Sequence, residues 1–311
     1  AWKTLKTQRK YCFAVIAQPE IFDYCNNKIK IITAPSEAIN VFQDSLPLIP
    51  IDGHNTEKGC PNQIHTASIL ESIKLAVDIC AKGKADGLVT NPISKEILYK
   101  SGFNFPGHTE YLGEITKEIH MINSRGPVMM LSGGGLKIAL ITVHVPLKKA
   151  ALLITKKEII KKAKVINEAL IKDFGIKNPR IALAGINPHA GENGQLGLEE
   201  MEIINPAAEI LRKEGINISD ALPADTLFHE EARSMYDAAI AMYHDQGLIP
   251  VKTLDFYGGV NITLGLPIVR TSPDHGTAFN IAGKNIARPD SLIAAIKTAR
   301  EISDNRAIQN A

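Results

Sequence analysis

The chain has 311 residues, 45% of them hydrophobic and 22% charged, with a formal net charge of +2. That length suits a sizeable core shared between two lobes, and the near-zero charge argues against a nucleic-acid binder held by bulk electrostatics. No apolar run reaches membrane-spanning length, and the four cysteines (Cys12, Cys25, Cys60 and Cys80) form no Cys-x-x-Cys pair, which fits a reducing cytoplasm better than a disulfide framework.

In chain order, the segment Ala1-Trp2-Lys3-Thr4-Leu5 is basic but no signal-peptide core follows it, and there is no initiator Met. Residues 85–90 read as a strand and run into Asn91-Pro92-Ile93-Ser94-Lys95. Gly107-His108-Thr109-Glu110 opens an apolar-periodic helix over 111–119. Gly133-Gly134-Gly135 reads as a hairpin turn before a strand over 137–143, which ends at His144-Val145-Pro146. A helix over 157–174 carries the basic run Lys156-Lys157 and Lys161-Lys162-Lys164, best read as a solvated face. A strand over 180–186 ends at Asn187-Pro188-His189-Ala190-Gly191-Glu192, and a helix spans 199–214. Residues 238–242 form a short strand ending at Tyr243-His244-Asp245-Gln246-Gly247. Strands over 251–254 and 259–264 follow, then a turn of small residues from Asp274 to Lys284. Strands alternating with helices predict α/β architecture with mainly parallel pairing.

In such sheets ligands bind beyond the carboxyl ends of the strands. Three histidines, His144, His189 and His244, follow three separate strands in Pro- or Gly-constrained turns. One such histidine alone is more often a capped side chain, but three point to a shared site. Imidazole suits zinc and other first-row divalent ions, and magnesium, manganese and cobalt stay open. Asp225 and Asp245 are candidate ligands or proton-transfer groups, although Asp225 reads equally well as a helix cap or turn residue. His108 and Thr109 at a helix start favour an anion such as phosphate. Lys252, Asn261 and Arg270 add two cations and an amide. The His275, Gly276, Thr277, Ala278 and Asn280 turn would let backbone approach a nucleotide closely, yet no Gly-x-Gly-x-x-Gly follows a strand, so a standard Rossmann site is not supported.

Taken together these segments resemble the 4-hydroxythreonine-4-phosphate dehydrogenase family of pyridoxal phosphate (vitamin B6) biosynthesis. The resemblance rests on Thr90 to Lys95, Phe105 to Glu110, Thr142 to Leu147, Asn187 to Glu192, Tyr243 to Gly247 and Asp274 to Lys284, in family order over nearly the whole chain. It implies an isocitrate/isopropylmalate dehydrogenase-like fold of two α/β lobes with a cleft. The expected division is 1–103 with 273–311 on the nucleotide side, and 104–272 for substrate, metal and dimerisation. It further implies a homodimer with active sites at the subunit interface and one divalent metal per site on His144, His189 and His244. His108, Thr109, Lys252, Asn261 and Arg270 would contact the substrate, and residues 275–284 would hold NAD or NADP. The implied oxidoreductase reaction oxidises 4-phosphooxy-L-threonine and then decarboxylates it, with Asp245, Asp225 or Lys95 as the candidate base.

This chain departs from the family pattern in three places. The family's first strand and its Gly-Asp-Pro-Ala-Gly-Ile-Gly-Pro-Glu type loop have no counterpart ahead of Ala1-Trp2-Lys3, which matches the first helix. Asn280 stands where an acidic residue commonly reads the ribose hydroxyls, so weaker discrimination between NAD and NADP is expected. Asp220-Ala221 replaces a more usual Gly-Pro. The competing readings are a sister dehydrogenase of 4-phospho-threonate or 4-phospho-erythronate, a metal-dependent hydrolase using the same histidines, and a catalytically dead, metal-stabilised oligomer or inactive fragment.

Overall fold

Short apolar runs separated by turns dictate where strands form. The computed structural model describes residues 1–25 and 28–310. Its strands are β1 (Val15–Ala17), β2 (Ile29–Ile31), β3 (Leu46–Pro50), β4 (Leu88–Val89), β5 (Val128–Gly133), β6 (Leu136–Leu140), β7 (Ile181–Ala184), β8 (Ile218–Leu222), β9 (Ala238–Ala241), β10 (Val260–Leu264) and β11 (Arg270–Pro273). The chain divides into two compact units. The first is Ala1–Ile119 with Pro267–Ser303; the second is His120–Leu266 with the residues from Asp304 onward. The first break between these contact-defined units falls after Ile119. The reason is an aromatic cluster: Phe103, Phe105 and Tyr111 pack with ring centroids 5.1–5.3 Å apart and tie the helix His108–Ile115 to the segment before it.

In the first unit β3 lies between β1 and β2, both parallel to it, with Val15 opposite Leu48 and Ile29 opposite Leu46. A separate parallel pair joins β4 to β11, setting Arg270 opposite Leu88. Leu5, Tyr11, Phe42 and Ile296 form one buried cluster, and Ile32, Ala38 and Ile49 another. A cavity of about 780 Å³ is lined by Val15 and Ile16 of β1, Leu88 and Val89 of β4, and Ile73 and Ile296 from two helices. Within this unit β1 and β4 each pair on one side only, so the cavity is bordered by two strand edges outside any ladder.

The second unit carries β10-β5-β6-β9-β7-β8 in that order. β5 runs antiparallel to β10 and β6, while β6, β9, β7 and β8 are mutually parallel. Gly134 and Gly135, at φ 57° and 78°, make the predicted hairpin between β5 and β6. Leu131, Ile138, Leu140, Ala239, Ala241 and Val251 are fully buried at its core. The helix Lys156–Lys172 starts at Thr155, whose Oγ1 accepts the Glu158 N–H at 3.2 Å, and buries Ile159, Ala163, Ile166 and Leu170 at helical spacing. Its lysines line the polar face, where Lys164 pairs with Glu214 at 2.7 Å.

Three predicted elements need correcting. Residues 251–254 are the end of a helix, His244–Leu254, not a strand. Val251 and Thr253 suggested β structure, but burying Leu248 and Val251 together on one helical face overrides that preference. The strand over 85–90 contracts to Leu88–Val89. The helix over 199–214 begins with a π-wound turn, Glu200–Ile204, before the α-helix Asn205–Lys213. Pro206 offers no N–H to that junction. No helix among the described residues is long and apolar enough to cross a membrane, and Cys12, Cys60 and Cys80 are free; the Cys25 side chain lies outside the described set.

One ion pair closes the second unit. Arg306 grips Asp173 through Nε at 2.6 Å and Nη2 at 3.1 Å, with Asp173 only 4% exposed. Removing one partner leaves the other charge desolvated and unpaired. Asp173→Asn should therefore lower unfolding free energy by about 3 kcal/mol, measured by urea denaturation; a change within ±0.5 kcal/mol, the usual size for a surface substitution, would contradict a buried pair.

Candidate active site

The three histidine turns leave the carboxyl ends of neighbouring strands. β9 is the middle one, pairing in register with β6 (Ala139 opposite Ile240) and with β7 (Ala182 opposite Ala239). Side chains latch these ends together. Thr142 Oγ1 donates to the Met242 carbonyl at 2.7 Å. Gln246 Oε1 accepts the Met242 N–H at 2.7 Å, and its Nε2 donates to the Gly185 carbonyl at 2.7 Å. The ends of β6, β9 and β7, which lead into His144, His244 and His189, are thus joined by two buried or half-buried polar side chains.

The His144 and His244 rings lie 5.4 Å apart between centroids, tilted by 44°. His244 Nδ1 and Asp245 Oδ1 are 2.7 Å apart. A carboxylate on Nδ1 fixes ring orientation and leaves Nε2 for a metal. His189 stands exposed in a turn of a different kind, with φ positive at each residue from 189 to 193. Among the described residues of this one chain no three His, Cys, Asp or Glu side chains are grouped to hold a metal. Asp225 is exposed in the loop after β8. Lys252 is half-buried near the end of the His244 helix, its Nζ 5.8 Å from the Phe256 ring centre. Asn261 lies on β10 opposite Leu131, with its Oδ1 buried and unpartnered.

The first unit gathers the other polar group. Arg270 on β11 is 3% exposed and donates from Nη2 to Thr90 Oγ1 at 2.7 Å. Burial brings its guanidinium down to about 10, against a raising influence from Glu110, so it stays charged at neutral pH. His108 is the first residue of its helix, after an extended Gly107, and Thr109 follows inside the helix rather than capping it. Burial pushes His108 down to about 3, with Arg270 and then Lys95 adding to the effect. Its Nε2 is buried without a hydrogen-bond partner. A Cβ at Gly107 would stand 3.6 Å from both Lys95 Nζ and Glu110 Oε2. Lys95, His108 and Arg270 thus form one cationic corner with a neutral imidazole, which suits a phosphate or carboxylate.

The nucleotide-like turn also belongs to the first unit. His275 Nδ1 lies 3.0 Å from the Gly276 carbonyl. Thr277 is half-buried, Ala278 adopts a left-handed φ of 50°, and Asn280 sits exposed in the short helix Phe279–Ile281. The segment packs on Lys58 and Gly59, since a Cβ at Gly59 would meet the Phe279 carbonyl at 2.9 Å. Sequence reasoning missed Thr142, Gln246 and Glu200. Gln246 lay in a quoted motif, but nothing in the local pattern shows that its amide spans two strands.

The family model of the pyridoxal phosphate biosynthetic protein PdxA matches residues 9–299. A 4-hydroxythreonine-4-phosphate dehydrogenase of Caulobacter vibrioides is 51% identical over 311 residues, covering 99% of this chain and 93% of that protein. A solved structure of the Klebsiella pneumoniae enzyme of the same name superposes with a TM-score of 0.81 at 34% identity, covering 93% of this chain and 88% of the other. One from Burkholderia phymatum gives 0.79 at 36%, covering 97% and 92%. The fold is therefore that of an α/β dehydrogenase of the isocitrate/isopropylmalate dehydrogenase-like class. Within that class, the chain belongs to the PdxA family.

The state of His108 has a measurable consequence. Its folded value of about 3 lies below the ordinary 6.5, so the unfolded chain binds the proton more readily. Its contribution to stability is complete above pH 6.5 and is lost as pH falls from there toward 3. The difference in unfolding free energy between the wild type and His108→Gln should narrow across that window. A difference independent of pH would contradict a neutral, desolvated ring.

Proposed function

We propose that this chain oxidises the C3 hydroxyl of 4-phosphooxy-L-threonine with NAD(P)+, and that the resulting 3-oxo acid loses CO2 to give 3-amino-2-oxopropyl phosphate. The observation that carries this reading is the placement of His144, His244 and His189 beyond three adjacent parallel strands. The hydride leaves C3 for the nicotinamide, the hydroxyl proton goes to a base, and the electron pair of the breaking C–C bond is taken up by the neighbouring carbonyl. When bound, a divalent metal supplies Lewis-acid polarisation of the reacting oxygen.

His144, His244 and His189 fit a metal by donor chemistry, since imidazole nitrogen is a common ligand of zinc and other first-row divalent ions. Asp245 is suited to orient His244 through Nδ1, which leaves Asp225 and Lys95 as candidates for the base. His108, Thr109, Lys252, Asn261 and Arg270 are the substrate contacts that the family resemblance implies, and the Lys95, His108 and Arg270 corner suits the phosphate or carboxylate. Contacts far from the reacting carbon orient it. The turn from His275 to Asn280 holds the dinucleotide. The active form is a homodimer. Two imidazoles are adjacent within one chain, and among the described residues no group of three His, Cys, Asp or Glu side chains forms there, so a second copy completes the set. Ile249, 64% exposed on the His244 helix, and Phe256, 67% exposed just after it, supply apolar surface for that contact.

A coupled absorbance assay tests the reading. 4-Phosphooxy-L-threonine should reduce NAD+ and NADP+ at comparable rates, because Asn280 does not repel a 2′-phosphate. A chelator should abolish turnover and added zinc or cobalt restore it. His244→Ala should lower kcat/KM by more than about 100-fold, the loss of a metal ligand exceeding that of its orienting partner. Preference for 4-phospho-erythronate, which lacks the amine, would move the assignment to the sister activity. Turnover without coenzyme would favour hydrolysis.

A further inference from the structure

The His189 turn has a conformation that needs an external cause. His189, Ala190, Gly191, Glu192 and Asn193 have φ of 51°, 51°, 82°, 43° and 52°. Four of these five carry a Cβ, and each such residue in the left-handed region costs about 1–2 kcal/mol. A run of this kind persists only where neighbouring groups over-determine it.

Those groups converge on Glu200, which is 1% exposed. Its Oε1 accepts the Ile186 N–H at 2.7 Å and the Asn187 N–H at 2.8 Å. Its Oε2 accepts from Asn187 Nδ2 at 2.9 Å, and the same amide reaches Glu199 Oε2 at 2.6 Å. The carboxylate is wedged between the strand end that leads into the turn and the middle of the turn. A Cβ at Gly185 would lie 3.0 Å from Oε1, and one at Gly191 would lie 2.8 Å from Oε2. The π-wound turn that starts at Glu200 sets this side chain at that depth.

We propose that Glu200 is a positioning residue for His189: its buried carboxylate holds the start of the left-handed turn and thereby aims the imidazole at the metal. The inference rests on the reading of His189 as a ligand. A carboxylate is needed because both oxygens must accept; a glutamine offers one acceptor and presents its NH2 to the Asn187 amide. Glu200 is buried against backbone N–H groups and the Asn187 amide, so its effect is on ligand geometry.

The test uses the metal-stripped full chain. Zinc affinity is read by competition with a chromogenic chelator, and cobalt loading by visible absorption, for wild type, His189→Ala, Glu200→Gln, Gly191→Ala and Asp173→Asn. Glu200→Gln should weaken zinc binding about 10- to 100-fold, the range for an outer partner of a ligand, and alter the cobalt spectrum. Asp173→Asn, destabilised elsewhere in the unit, should keep wild-type affinity and spectrum. If Glu200→Gln fails to fold, Gly191→Ala, which drives a Cβ against Oε2, should show the same loss. Wild-type affinity and spectrum in Glu200→Gln, with binding weakened in His189→Ala, would overturn the positioning role and leave the ligand reading intact. Unchanged binding in His189→Ala would overturn the ligand reading, and the inference with it.

Discussion

The site depends on the in-register parallel pairing of β9 with β6 on one side and β7 on the other. Neighbouring strands lie roughly 4.8 Å apart, so turns leaving the same ends of three strands start within reach of one another. Pairing alone fixes only the strands. The latch made by Thr142 and Gln246 carries that order past their ends, because it ties Met242 to Thr142 and to Gly185 where the ladder stops. Gln246 stands in for ladder partners at the Met242 N–H and the Gly185 carbonyl, while Thr142 Oγ1 adds to the Thr142 N–H on the Met242 carbonyl, so losing the Gln246 amide would leave buried polar groups unsatisfied.

The first unit solves a different problem, that of keeping charge in a desolvated place. Arg270 sits on a strand, almost wholly buried, with Thr90 as a neutral partner and Glu110 as the nearby opposite charge. The neighbouring His108 answers by giving up its proton. The result is a corner with a fixed positive charge, a neutral ring with an open nitrogen, and a lysine on a helix start. That combination is costly without an anion, which is why it reads as a binding corner rather than as structural filler.

Much of this was legible in the sequence, and the parts that were not have physical reasons. The strands ending at His144, His189 and His244 were readable because an apolar run breaking into a Pro- or Gly-constrained turn is a local signal. The hairpin at Gly134 and Gly135 was readable for the same reason. The helix over 251–254 was not, because Val and Thr favour strands locally and only burial against the sheet decides otherwise. Glu200 was hidden most completely. In a linear pattern it is the second acid of Glu199-Glu200, indistinguishable from a solvated helix start, and only the folded chain shows it accepting three N–H groups. The packing of Phe103 and Phe105 on Tyr111 was likewise hidden, because it is a tertiary fact.

The proposed function assigns His144, His244 and His189 to a single metal; among the described residues one chain brings the His144 and His244 rings together with no group of three ligands, and under that proposal a second copy supplies the rest. Anomalous diffraction from crystals grown with zinc tests this directly. One strong peak per active site, bonded by all three histidine positions with ligands drawn from two copies, is the predicted result. A zinc ion held by other side chains, or a dimer that turns over substrate with these three imidazoles far apart, would contradict it.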